Sequence, residues 1–273
     1  MIPAAFDYER AGSVDEAIEL LGSHEDAKLL AGGHSLLPLL RLRFAQPALL
    51  VDVSELGDLR YVRDAGDRLA IGALSRHHDL ETDALLQEHC PLVSHVASLI
   101  GDPQVRHRGT IGGSVAHGDP ASDLPTVLLV LDAEYVIRGP DGERTVAAEE
   151  FCTGVFDTVL GARDVLTEIR VPKLGESGWS YLKFHRRAQD WATVGVAAVV
   201  NGEARIALTN MGPKPLRARA AEEAFAAGGA EAAAGAADDG ADPPADTMAT
   251  ADFRRHLARV LTGRALEEAI SRR

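Results

Sequence analysis

The 273-residue sequence is short of cysteine, with Cys90 and Cys152 the only two. Two thiols 62 positions apart supply neither a thiolate metal or iron–sulfur site nor a secreted disulfide framework. Both lie in apolar, helical-looking contexts and read as buried and unreactive. Aromatics are sparse at 5%, and basic residues are outnumbered, 28 against 41 acids, for a net charge of −13. That balance excludes a phosphate-tracking nucleic-acid binder, which needs a basic stripe. No uncharged apolar run reaches the roughly 18 residues of a membrane span. The start, MIPAAFDYER, has no basic segment leading into an apolar run, so no signal peptide is expected. Neither G-x-G-x-x-G nor G-x-x-x-x-G-K-[ST] occurs, which counts against a Rossmann or P-loop domain. What is present is 46% hydrophobic residues in a length suited to about two domains.

Residues 1–55 read as a βαβ-like unit. Ser13 and Glu16 form an S-x-x-E capping box for a helix over 14–22, followed by strands over 27–31 and 48–53. The intervening LLPLLRLRFAQP is broken by Pro38 and Pro47. Residues 56–175 alternate strands and helices. Strands are expected at 69–74 and 165–171, helices at 92–100 and 123–131, and a hairpin turns at Gly139-Pro140-Asp141-Gly142. Residues 176–273 carry strands at 179–185, 193–200 and 204–209, expected to form a sheet with helices on one side, then helices at 214–227 and 252–271. The stretch 218–251 holds 16 alanines, seven acids and one arginine, so −6 of the −13 lies there. Its glycines and prolines read as a helix end and a solvated linker.

Two glycine motifs carry the chemistry. Ala31-Gly32-Gly33-His34-Ser35 follows a strand, and Gly109-Thr110-Ile111-Gly112-Gly113-Ser114 follows a helix. Paired glycines expose backbone N–H groups to an anion and tolerate positive φ, and Ser35, Thr110 and Ser114 add hydroxyls. Two such nests can clamp one pyrophosphate, although either alone reads equally as a tight turn. After the second motif, His117, Asp119 and Asp123 can ligate a metal, Asp123 can accept hydrogen bonds from polyol hydroxyls, or the aspartates can cap turns at Pro120 and Pro125. His77, His78 and His107 read as solvent-facing, and His107 lies between Arg106 and Arg108 in a local basic patch suited to a subunit contact.

With these residues, the chain resembles the FAD-binding medium subunits of molybdenum-containing hydroxylases, the family of aerobic carbon monoxide dehydrogenase and, more distantly, the flavin domain of xanthine dehydrogenase. AGGHSLLPLLRLRFAQP resembles that family's first pyrophosphate loop and DPQVRHRGTIGGSVAHGDPASDLP its second. YLKFHRRAQDWATVGVAA resembles the flavin-side segment of its C-terminal domain, and GPKPLRARAAEEA and FRRHLARVLTGRALEEA its closing helices. The resemblance implies an α+β chain: a two-part FAD-binding fold of the vanillyl-alcohol-oxidase (PCMH) type, 1–55 and 56–175, and a C-terminal α+β domain, 176–273, with a small antiparallel sheet.

It also implies noncovalent FAD. Leu29, Leu30, Ala31, Gly32, Gly33, His34, Ser35 and Leu36 would wrap the pyrophosphate and ribityl chain, with Thr110, Gly112, Gly113 and Ser114 opposite. Ile100 would lie near the flavin end of the cleft and Asp123 on the polyol. Leu166 and Lys183 would lie near the isoalloxazine, where a cation stabilises reduced flavin. Trp191 would cover the ring or gate entry to it, or else pack a domain interface. In some oxidases of this broad fold a histidine placed like His34 carries the flavin covalently, whereas the close family does not do so. The resemblance implies no catalytic acid or base and no metal in this chain. Electrons would arrive from [2Fe–2S] clusters on a small partner subunit, after substrate oxidation at molybdenum on a large one. They would leave to NAD+, a quinone, a cytochrome or O2. A cytoplasmic hetero-oligomer, such as a dimer of heterotrimers, is implied. The alternatives are a stand-alone flavin oxidase or reductase with its own organic substrate, and a nucleotide-binding scaffold.

Overall fold

The structure is a computed structural model that describes residues 2–273. The first unit contains β1 (Asp7–Arg10), α1 (Val14–Ser23), β2 (Ala27–Leu30), α2 (Leu36–Leu42) and β3 (Leu49–Asp52). Its strands pair in parallel in the order β1-β3-β2. Ser13 caps α1 by accepting from the Glu16 N–H, while the Glu16 carboxylate accepts from Gly12 N–H. Helix α2 was not expected, because Pro38 reads as a breaker. It sits at the third helical position, where a missing N–H costs no intrahelical bond. Arg43, with φ 60°, ends the helix.

The second unit comprises β4 (Val62–Asp64), β5 (Arg68–Gly72), α3 (His77–Thr82), α4 (Ala84–His89), α5 (Pro91–Ser98), α6 (Pro103–Arg106), α7 (Ile111–His117) and α8 (Asp123–Val130). It continues through β6 (Glu134–Gly139), β7 (Gly142–Ala147), α9 (Ala148–Phe151), β8 (Cys152–Gly154), β9 (Asp157–Thr158) and β10 (Val165–Pro172). An antiparallel sheet runs β4-β5-β10-β6-β7, and β8 pairs with β9. Every residue of α8 is buried, as its apolar run demands. Cys90 and Cys152 are buried free thiols, and burial pushes the Cys90 thiol up to about 12. Cys152 opens β8 rather than lying in a helix.

The third unit has β11 (Gly178–Phe184), β12 (Val194–Asn201), β13 (Glu203–Thr209), β14 (Leu216–Arg217), α10 (Arg219–Gly235) and α11 (Ala251–Ser271), with the strands in order β11-β12-β13-β14. The sheet is covered on both faces, not one. Val196, Ala198 and Val200 pack with α10 and α11, whereas Ala197 and Val199 join the core that includes α5 and α8. That explains the unbroken apolar run 194–200, since a strand buried on both faces loses the polar alternation.

Two further expectations change here. Residues 216–217 are a short strand, and α10 begins only at Arg219. The acidic alanine-rich stretch is not a plain solvated linker: α10 runs through a kink at Gly229 (φ 72°) to Gly235. Beyond it Ala237, Asp238 and Ala241 are buried, and Asp238 accepts from Arg259 at 3.1 Å. Alanine's small side chain allows the close approach of α10 to α11, and the acid is neutralised by an arginine that lies far along the sequence.

Candidate functional site

The first glycine motif joins β2 to α2. Gly33 has φ 79°, a conformation that L side chains rarely adopt. Gly32 is glycine for a different reason: a Cβ there would stand 2.3 Å from the Arg108 carbonyl oxygen and 2.8 Å from Gly109 Cα. The two motifs, 77 residues apart, are thus in backbone contact. Among the described residues, the N–H groups of Gly32, Gly33, His34 and Ser35 donate to no protein acceptor. His34 is exposed, while Ser35 and Leu36 are half-buried. Leu29 and Ala31 pack against the core of the first unit, with Leu30 half-buried between them.

The second motif is built otherwise. Thr110 is the N-cap of α7, and Gly112 and Gly113 lie in that helix's first turn, without positive φ. The second expected nest is therefore a capped helix start. Gly112 N–H donates to the Ala73 carbonyl (2.9 Å), Gly113 N–H to Thr110 Oγ1 (3.1 Å) and Ser114 N–H to the Thr110 carbonyl (3.0 Å). This loop offers hydroxyls, the Thr110 proton and the half-buried Ser114 Oγ, in place of free amides. Its glycines serve packing: a Cβ at Gly112 would lie 2.6 Å from Ala73 Cβ, and one at Gly109 would lie 2.8 Å from the His77 ring. At Gly113 the added Cβ would meet only Thr110 Oγ1, at 2.8 Å, and the residue is exposed.

His77, expected at the surface, is buried beneath Gly109, and its N–H donates to the Gly109 carbonyl at 2.9 Å. Its Nδ1 has no partner. Burial, with the nearby positive charges of His34 and Arg106, lowers its pKa to about 4, so the ring is neutral at pH 7. His78 and His107 do lie outside, stacked at 4.2 Å, and Arg106 is bound to Glu81 (2.9 Å). Ala73 was missed in the sequence. It accepts from Gly112 and donates to the Thr167 carbonyl (2.9 Å), which connects the second motif to β10 beside buried Leu166. Ile100, half-buried, ends the segment after α5, where its carbonyl accepts from Arg106.

Asp123 opens α8 and is buried. It caps no turn. Tyr181 Oη donates to Oδ1 at 2.6 Å and Lys183 Nζ donates to Oδ2 at 2.8 Å, across the junction between α8 and β11. Burial pushes the Asp123 carboxyl above the usual range, opposed by Lys183 and Tyr181. Burial and the Asp123 carboxylate push the Tyr181 phenol well above its ordinary value. Tyr181 was also missed, although strand alternation places it on the same face as Lys183. Asp119 does cap a turn, accepting from Ala121 N–H at 2.8 Å, and His117 lies against Phe156. His117, Asp119 and Asp123 do not converge, and no group of three metal-ligating side chains forms among the described residues.

Trp191 stands in the loop between β11 and β12 and is 57% exposed. It packs no domain interface at that exposure. The loop's far end is pinned: Arg254, fully buried on α11, donates to the Thr193 carbonyl and to Asp246 (2.8 Å), and Asn210 Nδ2 donates to the Ala192 carbonyl (2.8 Å).

An FAD pyrophosphate fits this arrangement. Four adjacent amides lack partners, a Cβ at Gly32 would fill the space between the loops, and the hydroxyls of Thr110 and Ser114 lie on the facing segment. Among the described residues no helix is long and apolar enough to cross a membrane.

Comparison with known proteins agrees. The family described as FAD binding domain in molybdopterin dehydrogenase matches residues 4–174, and the CO dehydrogenase flavoprotein C-terminal domain matches residues 179–269. The carbon monoxide dehydrogenase medium chain of Hydrogenophaga pseudoflava is 43% identical, over all of this chain and 99% of the relative. The xanthine dehydrogenase FAD-binding subunit of Escherichia coli is 31% identical, over 97% of this chain and 96% of the relative. Among solved structures, carbon monoxide dehydrogenase from Hydrogenophaga pseudoflava superposes with a TM-score of 0.96 at 45% identity, covering 100% of this chain and 99% of that one. Quinoline 2-oxidoreductase from Pseudomonas putida 86 superposes at 0.94 with 32% identity, covering 99% of each chain. The chain belongs to the FAD-binding subunit family of the molybdopterin dehydrogenases, in its two-part FAD-binding fold completed by the CO dehydrogenase flavoprotein C-terminal domain.

Proposed function

We propose that this chain is the FAD-carrying, electron-transferring subunit of a cytoplasmic molybdenum hydroxylase, assembled with a large molybdenum subunit and a small [2Fe–2S] subunit. The observation that carries this reading is the row of four unpartnered amides, Gly32 to Ser35, held against the second motif in a chain that matches medium subunits end to end. FAD supplies the exchange of electrons between a one-electron cluster donor and the external acceptor. The stand-alone oxidase or reductase is the weaker reading, because full-length relatives carry names such as medium chain and FAD-binding subunit.

The chain's own residues have defined tasks in this reading. The amides of Gly32 to Ser35 bind the pyrophosphate, with Leu29 to Ala31 and Leu36 framing them. The hydroxyls of Thr110 and Ser114 bind from the other side, and Gly112 and Gly113 keep that surface free of side chains. Ile100 and Leu166 line the cleft and exclude water. Asp123 holds Lys183 in place through one of the three ammonium donors, which leaves two to meet the polar edge of the isoalloxazine. With both Asp123 oxygens already accepting, its service to the polyol is chiefly the orientation of Tyr181 and Lys183. Trp191 covers the ring face from its pinned loop. His34 binds through its backbone only, so the flavin is noncovalent. Residues 1–55, 56–175 and 176–273 are the three units that make this cleft.

The test is to purify the chain alone and with its two partners. The chain alone should carry acid-extractable flavin and neither iron nor molybdenum, and the holoenzyme's substrate should reduce the flavin only in the assembled complex. Stoichiometric iron in the isolated chain, or turnover of an organic substrate by it alone, overturns the reading.

A further inference from the structure

Helix α2 leaves the cofactor loop directly, with the Leu37 N–H bonded to the Gly33 carbonyl at 2.9 Å. Four of its seven residues beyond Leu40 are apolar or proline on the outside or half outside, and only Leu40 is buried. Leu37 and Leu42 are exposed. Phe44 follows at 79% exposure, and Ile2, whose carbonyl accepts from Arg43 at 3.3 Å, is 81% exposed. These are the two most exposed large apolar side chains among the described residues, and the Arg43 bond ties their segments together. A soluble chain does not ordinarily present such residues side by side unless something covers them.

The rim identifies what covers them. Arg41 and Arg43 have no carboxylate partner among the described residues, in a chain of net charge −13 whose arginines elsewhere are mostly paired, as Arg60 with Asp79 and Arg144 with Asp164. An apolar centre with a basic rim suits an acidic partner surface. A cluster of ferric ions, sulfides and four cysteine thiolates is net negative, and electron transfer falls steeply with distance, so its subunit must sit next to the cofactor loop. Helix α2 is the surface that continues from that loop.

We propose that the exposed face of α2, with Phe44, Ile2, Arg41 and Arg43, is the docking surface for the [2Fe–2S] subunit. The assignment rests on the electron-transfer reading above, and it names the surface that reading leaves open.

The test uses the three full-length subunits produced separately and mixed. Phe44→Glu should weaken binding of the [2Fe–2S] subunit about tenfold or more, as expected for an anchor at an interface centre. Arg41→Glu with Arg43→Glu should slow association and flatten its salt dependence. Both should retain normal flavin content and normal binding to the large subunit. Val155→Glu, at an exposed apolar site on the β8–β9 turn, should leave binding of the [2Fe–2S] subunit unchanged. Unaltered affinity in Phe44→Glu overturns the proposal. So does loss of binding to the large subunit or loss of self-association instead, or a loss caused by Val155→Glu. If the unaltered chain binds no [2Fe–2S] subunit at all, the functional reading itself fails, which separates the two outcomes.

Discussion

The two glycine loops look alike in sequence and differ in structure. Gly32-Gly33-His34-Ser35 keeps four amides free and uses a positive φ at Gly33. Gly112-Gly113-Ser114 spends its amides on Ala73 and Thr110 and lies in an ordinary helical turn. In the first loop, glycine serves ligand approach and loop-to-loop contact. In the second, Gly109 and Gly112 serve packing against His77 and Ala73, and only Gly113 faces open space. Small residues are thus selected for two unrelated reasons: to present backbone polar groups, and to let two backbones touch.

The largest effect is expected where both reasons meet. Gly32→Val drives a side chain into the Arg108 carbonyl, so the loops must separate. Flavin should be absent from the purified variant, and overpacking should cost about 1–3 kcal/mol or more of stability, read by flavin absorbance and thermal unfolding. Retained flavin would remove the claim that the contact between the loops forms the site.

The next effect comes from acid. His77, whose ring lies beneath Gly109, has its pKa lowered from 6.5 to about 4 in the folded chain. The unfolded chain therefore takes up the proton first. The stabilisation is complete above pH 6.5 and falls as pH drops from about 6.5 towards 4, by up to about 3 kcal/mol. Urea unfolding at stepped pH should show this slope, and His77→Leu should flatten it. An unchanged slope in the variant would assign the acid sensitivity to other groups.

The smallest effect on stability separates neighbouring glycines. Gly112→Ala should cost about 1–3 kcal/mol through its clash with Ala73. Gly113→Ala should stay within about 0.5 kcal/mol, because better helix propensity offsets a disturbed Thr110 cap. Its flavin affinity should nevertheless fall, measured by flavin fluorescence on titration. Equal stability losses in the two variants would erase the distinction between the two roles.

Much of the fold was legible because it is local. The capping box at Ser13, the hairpin at Gly139–Gly142 and the apolar helix 123–130 obey short-range rules, and the structure places them where those rules predict. Helix α2 was hidden because Pro38 is disruptive in a helix interior and harmless in a first turn. The site was legible as two motifs and a set of residues from the family resemblance, while its supports were not. His77 and Ala73 carry no signature, since their roles depend on what lies across from them.

By itself the sequence determined the residue types at the cleft, the absence of thiolates able to hold a cluster, and hence the need for a donor elsewhere. It also determined that one motif can present bare amides. Only the tertiary structure decided which motif does so, that Asp123 is committed to Tyr181 and Lys183, and that the acidic alanine-rich stretch folds back onto α11 through Asp238. The reason is physical: propensity and capping act within a few residues along the chain. Whether an amide, a carboxylate or a buried imidazole finds a partner depends on groups that the chain brings into contact only after it folds.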